Sequence, residues 1–396
     1  MKLINNYNKD ITDIPLSGNP EISFFSKVFR RHTNFSIIRN NMLGLKSGDM
    51  HNNININGDL IKSIDLEMNN IKINNSIPSN IGTSLLKDIT LMTSNKKIEK
   101  LSGSYIEMYY QLNNIGSLST FYEKDDANIV CNTGNMFHNL TLSGGCFNPN
   151  NINTTDKTAN ASTVISVCLP IPFSFFTNTA LSLPYFLFHL NNPIKVVFNI
   201  NEYLLNSATT PKYNFIVNYI LIGEEEQMRF KSSKNEYIIQ KVYEHTLQAV
   251  TRGINEYRIP KIYGNIKSMI WENTIKKNYK YNISINNILL CNTNKSYHYW
   301  TRHNIKKFNL KGGGRGLTSF TGYPIVISND SIALYNFGLD DKKDDSPTGS
   351  VNSNKNQISI IIENNDNTNI DLDFILYIKT YNILKITDGK IELEYI

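Results

Sequence analysis

Histidines, carboxylates and serines, which could carry acid–base, metal or nucleophilic chemistry, are spread along the chain without a catalytic spacing. A zinc hydrolase would place two histidines and a glutamate on one helical face, and a serine hydrolase would set its nucleophile between two glycines. Neither pattern occurs in the 396 residues. We therefore expect no catalytic residue, no metal centre and no cofactor site. The seven histidines are His32, His51, His138, His189, His245, His298 and His303.

Two loop segments contain residue types that bind phosphate or metal ions elsewhere, but each lacks part of the pattern. The glycine-rich residues 312–316 have no Lys-Ser/Thr pair that would reach phosphate and Mg²⁺, so a flexible loop is favoured. Four aspartates between Asp340 and Asp345 could bind a divalent cation. Their spacing is not that of an EF-hand, and Lys342 and Lys343 lie among them, which favours a solvated loop.

Two further segments could contact a ligand or a partner. The basic run Arg30-Arg31-His32 could contact a phosphate of nucleic acid or lipid. Next to Phe35, it could equally hold the N-terminal strand through ion pairs or contact a neighbouring subunit, and this choice stays open. The aromatic residues 297–300 suggest a sugar platform or a surface that packs on a partner, and the partner surface is favoured.

Composition indicates a folded protein that is long enough for two domains. Of the 396 residues 40% are hydrophobic and 19% charged, which is too apolar for a disordered chain. The net charge of +6 is not concentrated in a long Lys/Arg block, so no specific nucleic-acid recognition is expected. The four cysteines form no Cys-x-x-Cys pair, and we see neither a signal segment nor an apolar run of about 20 residues. These features favour reduced thiols and folding in the cytosol.

Short strands separated by Asn, Gly, Ser and Pro turns dominate both halves of the chain. Alternating apolar residues over 370–378 predict a strand with one buried face, whereas residues 215–222 and 358–362 are continuous enough for central strands buried on both faces. Strands recur on both sides of residues 223–235, which fits two β-sandwiches, and a jelly roll is one common way to hide their edges. Further strands are predicted at residues 60–68 and 282–290.

Helical patterns are few. Four apolar residues recur at helical spacing over residues 103–112 and predict a short amphipathic helix. Residues 224–231 begin with three glutamates and end with basic residues, a polarity that suits the helix dipole. This second helix lies between the strand-rich halves and is predicted to connect them. Polar composition predicts exposed loops at residues 148–162 and 338–349.

The N-terminal segment combines a turn, an aromatic run and a basic cluster. Its Gly-Asn-Pro sequence interrupts any helix, because proline fixes φ and lacks an N–H. The phenylalanines that follow are too apolar for a free tail, so we expect this segment to be tied into a core. The candidate motif comprises Gly18, Asn19, Pro20, Phe24, Phe25, Arg30, Arg31, His32, Asn34 and Phe35.

This motif resembles the start of the major capsid proteins of nucleocytoplasmic large DNA viruses. That family opens with Gly-Asn-Pro-x-Ile-x-Phe-Phe, followed by Arg-Arg-His-Thr-Asn-Phe. Five further blocks resemble the family in the same order, so the likeness spans nearly the entire chain. These blocks lie at residues 97–110, 169–198, 219–239, 346–352 and 381–385.

The resemblance implies an all-β fold of two consecutive eight-stranded antiparallel jelly rolls, a double jelly roll, with a few short helices. It places an N-terminal base segment at residues 1–19 and the first jelly roll at residues 20–222. A connector at residues 223–235 then leads to the second jelly roll with the C-terminal tail, at residues 236–396.

The resemblance also implies that the chain trimerises into a capsomer with a pseudo-hexameric outline, and that capsomers tile an icosahedral shell. The expected partners are other copies of the chain, neighbouring capsomers and, at the capsomer base, minor capsid proteins and the internal viral membrane. The expected location is the virion, after assembly in the host cytoplasm. Residues 18–35 are then a structural element that faces the base, where catalysis is not expected.

Two other functions remain open at this point. One is a double jelly-roll paralogue that serves as a minor capsid component or an assembly scaffold. The chain is short for the family, and residues 388–396 are charged and strand-like, so they could add an edge strand to a neighbour. The other is a carbohydrate-binding β-sandwich protein, which would need an aromatic platform or paired carboxylates. Neither Glu99 with Glu107 nor the glutamates at 224–226 make a convincing pair.

Overall fold

Antiparallel strands make up most of the described part of the computed structural model of this chain, as the alternating sequence patterns predict. The chain divides into two units, Met1–Asn34 and Phe35–Ile396, and the strands described here all belong to the second. The structure describes residues 32–50, 52–72, 81–93, 96–113, 120–125, 128–133, 165–187, 192–206, 210–247, 251–261, 264–272, 279–294, 317–318, 324–325, 332–339, 347–364, 374–387 and 389–394.

The strands fall into one set before residue 223 and one set after residue 234. The first set is β1 (Phe35–Leu45), β2 (Leu60–Ile71), β3 (Leu86–Thr93), β4 (Lys96–Ser102), β5 (Thr120–Asp125), β6 (Asn128–Thr133), β7 (Ile165–Pro170), β8 (Ile194–Ile200) and β9 (Lys212–Ile222). The second set is β10 (Asn235–Leu247), β11 (Gly253–Arg258), β12 (Asn265–Glu272), β13 (Tyr279–Ile285), β14 (Ile288–Asn294), β15 (Leu317–Thr318), β16 (Pro324–Ile325), β17 (Ile332–Asn336), β18 (Val351–Asn352), β19 (Ile358–Asn364), β20 (Phe374–Thr387) and β21 (Lys390–Leu393).

Short helices interrupt the strands. The second and third α-helices confirm the helices predicted at residues 103–112 and 224–231. In the described part of the chain the α-helices are α1 (Ile81–Leu85), α2 (Gly103–Asn113) and α3 (Glu224–Ser232). Single turns of 3₁₀-helix cover Ser174–Phe176, Thr179–Leu181, Tyr185–Leu187 and Glu202–Leu204.

Seven strands of the first set form two antiparallel sheets with a defined order, and β5 pairs with β6 as a separate hairpin. One sheet has the order β1-β9-β2-β7 and the other has the order β4-β3-β8. Residues 52–54 extend the second sheet beside β8, because Asn53 bridges Lys195 and the Ile54 N–H donates to the Ile194 carbonyl at 2.8 Å. Together with residues 52–54, the two sheets contain eight strands. Numbered from 1 to 8 along the chain, they are β1, residues 52–54, β2, β3, β4, β7, β8 and β9. With these numbers the two sheets have the orders 1-8-3-6 and 2-7-4-5.

The second set repeats this order strand for strand. Its two large sheets are β10-β20-β12-β17 and β11-β19-β13-β14, while β18 and β21 pair beside β12 and β20, and β15 pairs with β16 separately. Strand 1 again pairs with 8, 2 with 7, 3 with 6 and 4 with 5, which is a long hairpin wrapped into a jelly roll. The chain is therefore an all-β double jelly roll, as predicted. We call the two sets the first barrel and the second barrel.

Each barrel has its own core, built by alternation along the strands. In the first barrel, the alternate residues Ile64, Leu66 and Met68 of β2 are fully buried. In the second barrel, Trp271 and Tyr281 come from opposite sheets, and their ring centres are 5.5 Å apart. Burial of a large apolar side chain contributes about 1.5–3 kcal/mol, so these rows stabilise both barrels.

Three predicted strands are confirmed. Strands β9 and β19 each lie between two partner strands, as predicted for residues 215–222 and 358–362, and most of those residues are buried. Strand β2 covers the strand predicted at residues 60–68.

Strand β20 differs from its predicted pattern. It begins at Phe374, and residues 370–373 of the predicted alternation lie outside the described residues. Leu376 and Ile378 belong to the core of the second barrel, but Tyr377 between them is buried as well. The prediction of one buried face is therefore wrong, because the first barrel covers the other face.

Residues 282–290 were predicted as one strand and are a hairpin instead. Strand β13 ends at Ile285 and β14 begins at Ile288, so the loop has two residues. Asn286 and Asn287 have φ angles of 50° and 67°, the left-handed conformation that a type I′ turn requires at both positions. Asparagine adopts this conformation more readily than most residues, which explains the chain reversal.

Helix α3 links the two barrels. It has three glutamates in its first turn and two basic residues in its last, the polarity that the helix dipole favours. The Gln227 side chain donates to Asp59 Oδ1 at 3.1 Å, and the Ile222 N–H donates to Asp59 Oδ2 at 2.9 Å. One carboxylate of the first barrel thus holds both the end of β9 and the helix. The domain boundaries around the connector at residues 223–235 stay a prediction.

The C-terminal residues pair within their own chain. Strand β21 pairs with β20 from Thr387 opposite Lys390 to Leu384 opposite Leu393. Gly389 has a φ of 71° in the two-residue turn between them, a conformation that glycine adopts without strain. Residues 390–393 therefore extend their own sheet, and their pairing with a neighbour stays a prediction.

Gly103 lies at the start of α2, directly after β4, and is expected to tolerate no side chain. A Cβ atom there would overlap the backbone carbonyl oxygens of Thr83 and Leu86. We predict that Gly103→Ala lowers the free energy of unfolding by about 2 kcal/mol, the cost of overpacking against backbone. Urea unfolding followed by circular dichroism would measure the change, with Ser104→Ala at the adjacent exposed position as control. Equal stability of the two variants would contradict the close approach.

Candidate assembly surfaces and the seam between the barrels

The barrels meet at a buried seam, where the outer face of the sheet β10-β20-β12-β17 packs on β4, α2 and residues 171–183 of the first barrel. Leu334, Ile270 and Tyr377 lie side by side across β17, β12 and β20. All three are buried and belong to the same apolar cluster as the core of the first barrel. Three side chains of this size contribute on the order of 5 kcal/mol when removed from water.

The junction between β4 and α2 aims two side chains of the first barrel at β20. The hydroxyl groups of Ser102 and Tyr377 are 3.0 Å apart, and the ring centres of Tyr105 and Tyr377 are 5.4 Å apart. The Tyr105 N–H donates to Ser102 Oγ at 3.3 Å, which fixes the two residues relative to each other. A tilted ring pair with a hydroxyl contact gives the seam directional contacts in addition to apolar burial.

A buried carboxyl group lies in the polar part of the seam. Glu99 of β4 is only 2% exposed and accepts hydrogen bonds from the Ser174 N–H at 2.9 Å and the Ser174 hydroxyl at 3.0 Å. The same hydroxyl oxygen is 2.6 Å from the carbonyl oxygen of Gln240 in β10. Burial raises the pKa of Glu99 to about 7, although the hydrogen bonds from Ser174 and the charges of Lys379 and Lys241 lower it.

A buried lysine adds to this polar part. Lys267 of β12 is fully buried, and its Nζ donates to Gln240 Oε1 at 3.0 Å. Its ammonium group also lies 5.6 Å from the centre of the Tyr381 ring, within the range of a cation–π contact. Gln240 therefore contacts Ser174 through its backbone and Lys267 through its side chain.

The equivalent outer face of the first barrel, on the sheet β1-β9-β2-β7, carries a groove beside a set of polar side chains. The Asn218 side chain donates to Ser63 Oγ at 2.8 Å across two strands of this face. The groove has a volume of about 650 Å³. Its lining includes Arg39, Lys62, Asp65, Tyr109, Tyr110 and Cys168.

The groove is equipped for hydrogen bonds and ion pairs rather than for catalysis. Burial raises the pKa of Asp65 to about 6, while Arg39 lowers it. Burial and the charges of Asp65 and Glu67 raise the pKa of the Cys168 thiol to about 11, and Arg39 opposes this. The thiol is therefore neutral at pH 7 and a poor nucleophile. Among the described residues no group of three or more His, Cys, Asp or Glu could hold a metal ion.

Strand β1 carries exposed apolar side chains at the margin of the same sheet. Phe35, Ile37 and Leu43 are 54%, 52% and 72% exposed. Within the described part of the chain β1 pairs with β9 alone, so it is an edge strand. An edge strand with apolar side chains invites contact with another chain.

The structure describes the last part of the N-terminal motif. Phe35 begins β1, where it pairs with Ile222. His32 and Asn34 are exposed, and His32 Nδ1 donates to the Thr33 carbonyl at 2.7 Å. The role of this motif in assembly stays a prediction. Its residues outside the described part are Gly18, Asn19, Pro20, Phe24, Phe25, Arg30 and Arg31.

Among the described residues, the other carboxylates considered from the sequence form no site. Glu107 is buried and accepts from Thr83 Oγ1 at 2.7 Å, and Glu99 bonds to Ser174, so the two carboxyl groups form no open pair. None of the helices that the structure describes has the length and hydrophobicity of a transmembrane segment. The candidate segments at residues 148–162, 297–300, 312–316 and 340–345 lie outside the described residues.

Sequence reasoning missed the role of Glu99. From the sequence, Glu99 lies in a segment that leads into a predicted helix, and it is considered only as a possible partner of Glu107 in a carboxylate pair. Glu99 pairs with Leu91, and Leu101 pairs with Ile89 in the same register, so Glu99 lies on the same face of the sheet as the core residue Leu101, while Ile98 is the extra residue of a bulge in β4. The spacing of Glu99 from Leu101 is visible in the sequence, but Ser174 and Gln240, which make this position a polar contact between the barrels, come from distant segments.

Comparison with known proteins relates the chain to viral capsids. A family model described as "Major capsid protein N-terminus" matches residues 23–238, more than half of the chain. The major capsid protein of Pyramimonas orientalis virus is 26% identical over 244 residues, which cover 58% of this chain and 55% of that protein. Probable capsid protein 4 of Acanthamoeba polyphaga mimivirus is 29% identical over 193 residues, which cover 44% of this chain and 33% of that protein. The chain thus spans about half the length, or less, of these curated relatives.

Two solved structures share the fold over nearly their whole length. A quasi-atomic model of the PBCV-1 virus capsid has a TM-score of 0.69 at 17% identity, covering 94% of this chain and 100% of that chain. The Faustovirus major capsid protein has a TM-score of 0.56 at 9% identity, covering 96% and 95%. At these identities the likeness concerns the fold, and it agrees with the repeated strand order described above.

Ile270 tests whether the seam is an integral part of the fold. It lies on the outer face of the second barrel and is 4% exposed only because the first barrel covers it. We predict that Ile270→Ala lowers the free energy of unfolding by about 2–5 kcal/mol, the usual cost of truncating a buried isoleucine. The same truncation at Ile254, which is 77% exposed, should cost less than about 0.5 kcal/mol. Urea unfolding would measure both, and a near-neutral Ile270→Ala would mean that the barrels do not pack in solution.

Proposed function

Because the chain belongs to the family of major capsid proteins of nucleocytoplasmic large DNA viruses, we propose that it is a structural subunit of such a capsid. Three copies form a capsomer with a pseudo-hexameric outline, and these capsomers tile an icosahedral shell. The family and the fold are structural rather than enzymatic.

The observation that carries this proposal is the difference between two equivalent sheet faces. In the second barrel, the first barrel of the same chain covers the outer face of β10-β20-β12-β17. In the first barrel, the counterpart face of β1-β9-β2-β7 carries the open groove beside Asp65. Because the two barrels have the same strand order, a barrel from a second copy can cover this face in a similar manner.

Such a contact joins unlike faces of successive copies and must close into a ring to give a finite assembly. Three chains of two barrels each place six similar barrels around the ring axis, which accounts for the pseudo-hexameric outline. An obligate interface of this kind buries roughly 2,000 Å² or more. Polar groups of the groove such as Asn218 and Arg39 then supply directional contacts, and the apolar side chains along β1 supply buried area.

The remaining details of the proposal concern partners and location. We propose that the N-terminal motif lies at the capsomer base, where minor capsid proteins and the internal viral membrane are its neighbours. The protein resides in the virion, and its shell assembles in the host cytoplasm. What supports these points is the likeness of the motif residues 18–35 to the opening of the family.

Thr179 offers a test of the groove as the interface between copies. It is exposed and lines the groove with Arg39 and Lys62, so Thr179→Arg adds bulk and a third positive charge. We predict that light scattering gives about 136 kDa for the unmodified protein, three chains of 45.3 kDa, and a predominant monomer for Thr179→Arg. The control is Asn354→Arg, at an exposed turn outside the groove, which should keep the trimer.

The possible outcomes separate the two parts of the proposal. An unmodified chain that stays monomeric at micromolar concentration would overturn the capsomer. A Thr179→Arg chain that still trimerises would overturn only the assignment of the groove as the interface.

A further inference from the structure

Three oxygen atoms compete for one hydrogen at Ser174. The hydroxyl oxygen of Ser174 is 3.0 Å from both carboxyl oxygens of Glu99 and 2.6 Å from the Gln240 carbonyl oxygen. A serine hydroxyl has one hydrogen to donate, and a carboxylate or a carbonyl has none. If Glu99 were ionised, the hydroxyl could serve Glu99 or Gln240 but not both, and the other close pair of oxygens would repel each other.

A proton on Glu99 removes this conflict. The carboxyl O–H then donates to the Ser174 hydroxyl oxygen, which donates its own hydrogen to the Gln240 carbonyl. The other carboxyl oxygen accepts from the Ser174 backbone N–H at 2.9 Å. Each donor then has one acceptor, and the hydrogen-bonded chain runs from β4 of the first barrel to β10 of the second barrel.

The groups around Glu99 act on this proton in opposite directions. Burial favours the neutral carboxyl group and is the largest influence, whereas the charges of Lys379 in β20 and Lys241 in β10 favour the carboxylate. Tyr105 and Tyr109 of α2 line, together with Glu99, a cavity of about 20 Å³. This volume is close to the smallest that holds one water molecule, so bulk water does not solvate a charge at Glu99.

We propose that Glu99 makes the seam sensitive to pH: with its proton it joins the two barrels through Ser174 and Gln240, and without its proton it weakens that contact. Glu99, Ser174 and Gln240 all belong to one chain. The effect is therefore expected whether or not copies of the chain assemble.

The direction of the pH dependence follows from the proton count. The pKa of Glu99 is raised from 4.5 to about 7 in the folded chain, so the folded chain holds more protons than the unfolded chain between these values. Unfolding then releases a proton, which means that stability falls as pH rises through this window and levels off above it. The raised pKa of Asp65 acts in part of the same window, so the effect of Glu99 is read as a difference between variants.

Glu99→Gln tests the proposal, because an amide keeps one donor for Ser174 and one acceptor and does not titrate. At pH 8 we expect the variant to be more stable than the unmodified chain, with an unfolding equilibrium constant that is smaller by roughly ten- to a hundredfold. At pH 4.5 the two unfolding constants should be nearly equal. Urea unfolding across pH 4.5–8 would measure both. Glu256→Gln, at an exposed position of β11, is the matched control and should follow the unmodified profile. A pH-independent difference between Glu99→Gln and the unmodified chain would overturn the proposal.

A spectroscopic measurement keeps the proposal testable if the variant does not fold. With ¹³C-carboxyl-labelled glutamate, which excludes Asp65, infrared spectra of the folded chain should contain a neutral carboxyl band at pH 5.5 that disappears with a midpoint near pH 7. Amide hydrogen exchange at Ser174 should rise over the same range beyond its intrinsic pH dependence. Absence of the band at pH 5.5, or exchange at Ser174 that follows the intrinsic rate alone, would show that Glu99 is not such a group.

Discussion

Burial of the sheet β10-β20-β12-β17 on both faces is the constraint on which the rest of the structure depends. A sheet in an antiparallel barrel ordinarily packs one face on its own core and leaves the other in water. Here Leu376 and Ile378 face one core, and Tyr377 between them packs against the first barrel. Any reorientation of the barrels would expose the row that Tyr377 shares with Ile270 and Leu334. The two barrels are therefore a fixed pair, and a larger assembly must be built from that pair.

Polar groups in the seam restrict how the two barrels fit together. An apolar row tolerates sliding, because its contacts are not directional. The hydrogen bonds among Glu99, Ser174 and Gln240 do not tolerate sliding, because a shift of a few ångströms would leave buried donors or acceptors without partners. Each lost partner would cost about 1–3 kcal/mol. Such groups contribute less stability than well-packed apolar residues of the same volume. We infer that their contribution is a single arrangement of the barrels, which repeated assembly of identical copies requires.

The sequence predicts those parts of the fold that neighbouring residues decide, and misses those that distant segments decide. The central strand β9 and the helix α2 follow from local apolar patterns, and both are confirmed. Tyr377 looks like a solvent-facing residue within its strand, because the residues that bury it, Ser102 and Tyr105, are more than 270 positions away. Glu99 is hidden for a similar reason, since Ser174 and Gln240, which surround its carboxyl group, lie at least 75 positions away along the chain. Most residues of the N-terminal motif, which resembles the opening of the family, lie outside those the structure describes.

The outer face of the second barrel is more apolar at its centre than the outer face of the first barrel. We relate this difference to the time at which each face becomes covered. The second barrel is attached to the first by helix α3, so its apolar row has a partner at high effective concentration as soon as both barrels fold. In the proposed assembly the open face of the first barrel stays in water until another copy covers it, and a continuous row as apolar as Leu334, Ile270 and Tyr377 would favour aggregation there. Hydrogen-bonded side chains such as Asn218 with Ser63 keep that face soluble. In the proposed interface these polar contacts set the orientation of the copies, and the exposed apolar side chains of β1 supply the area that is buried.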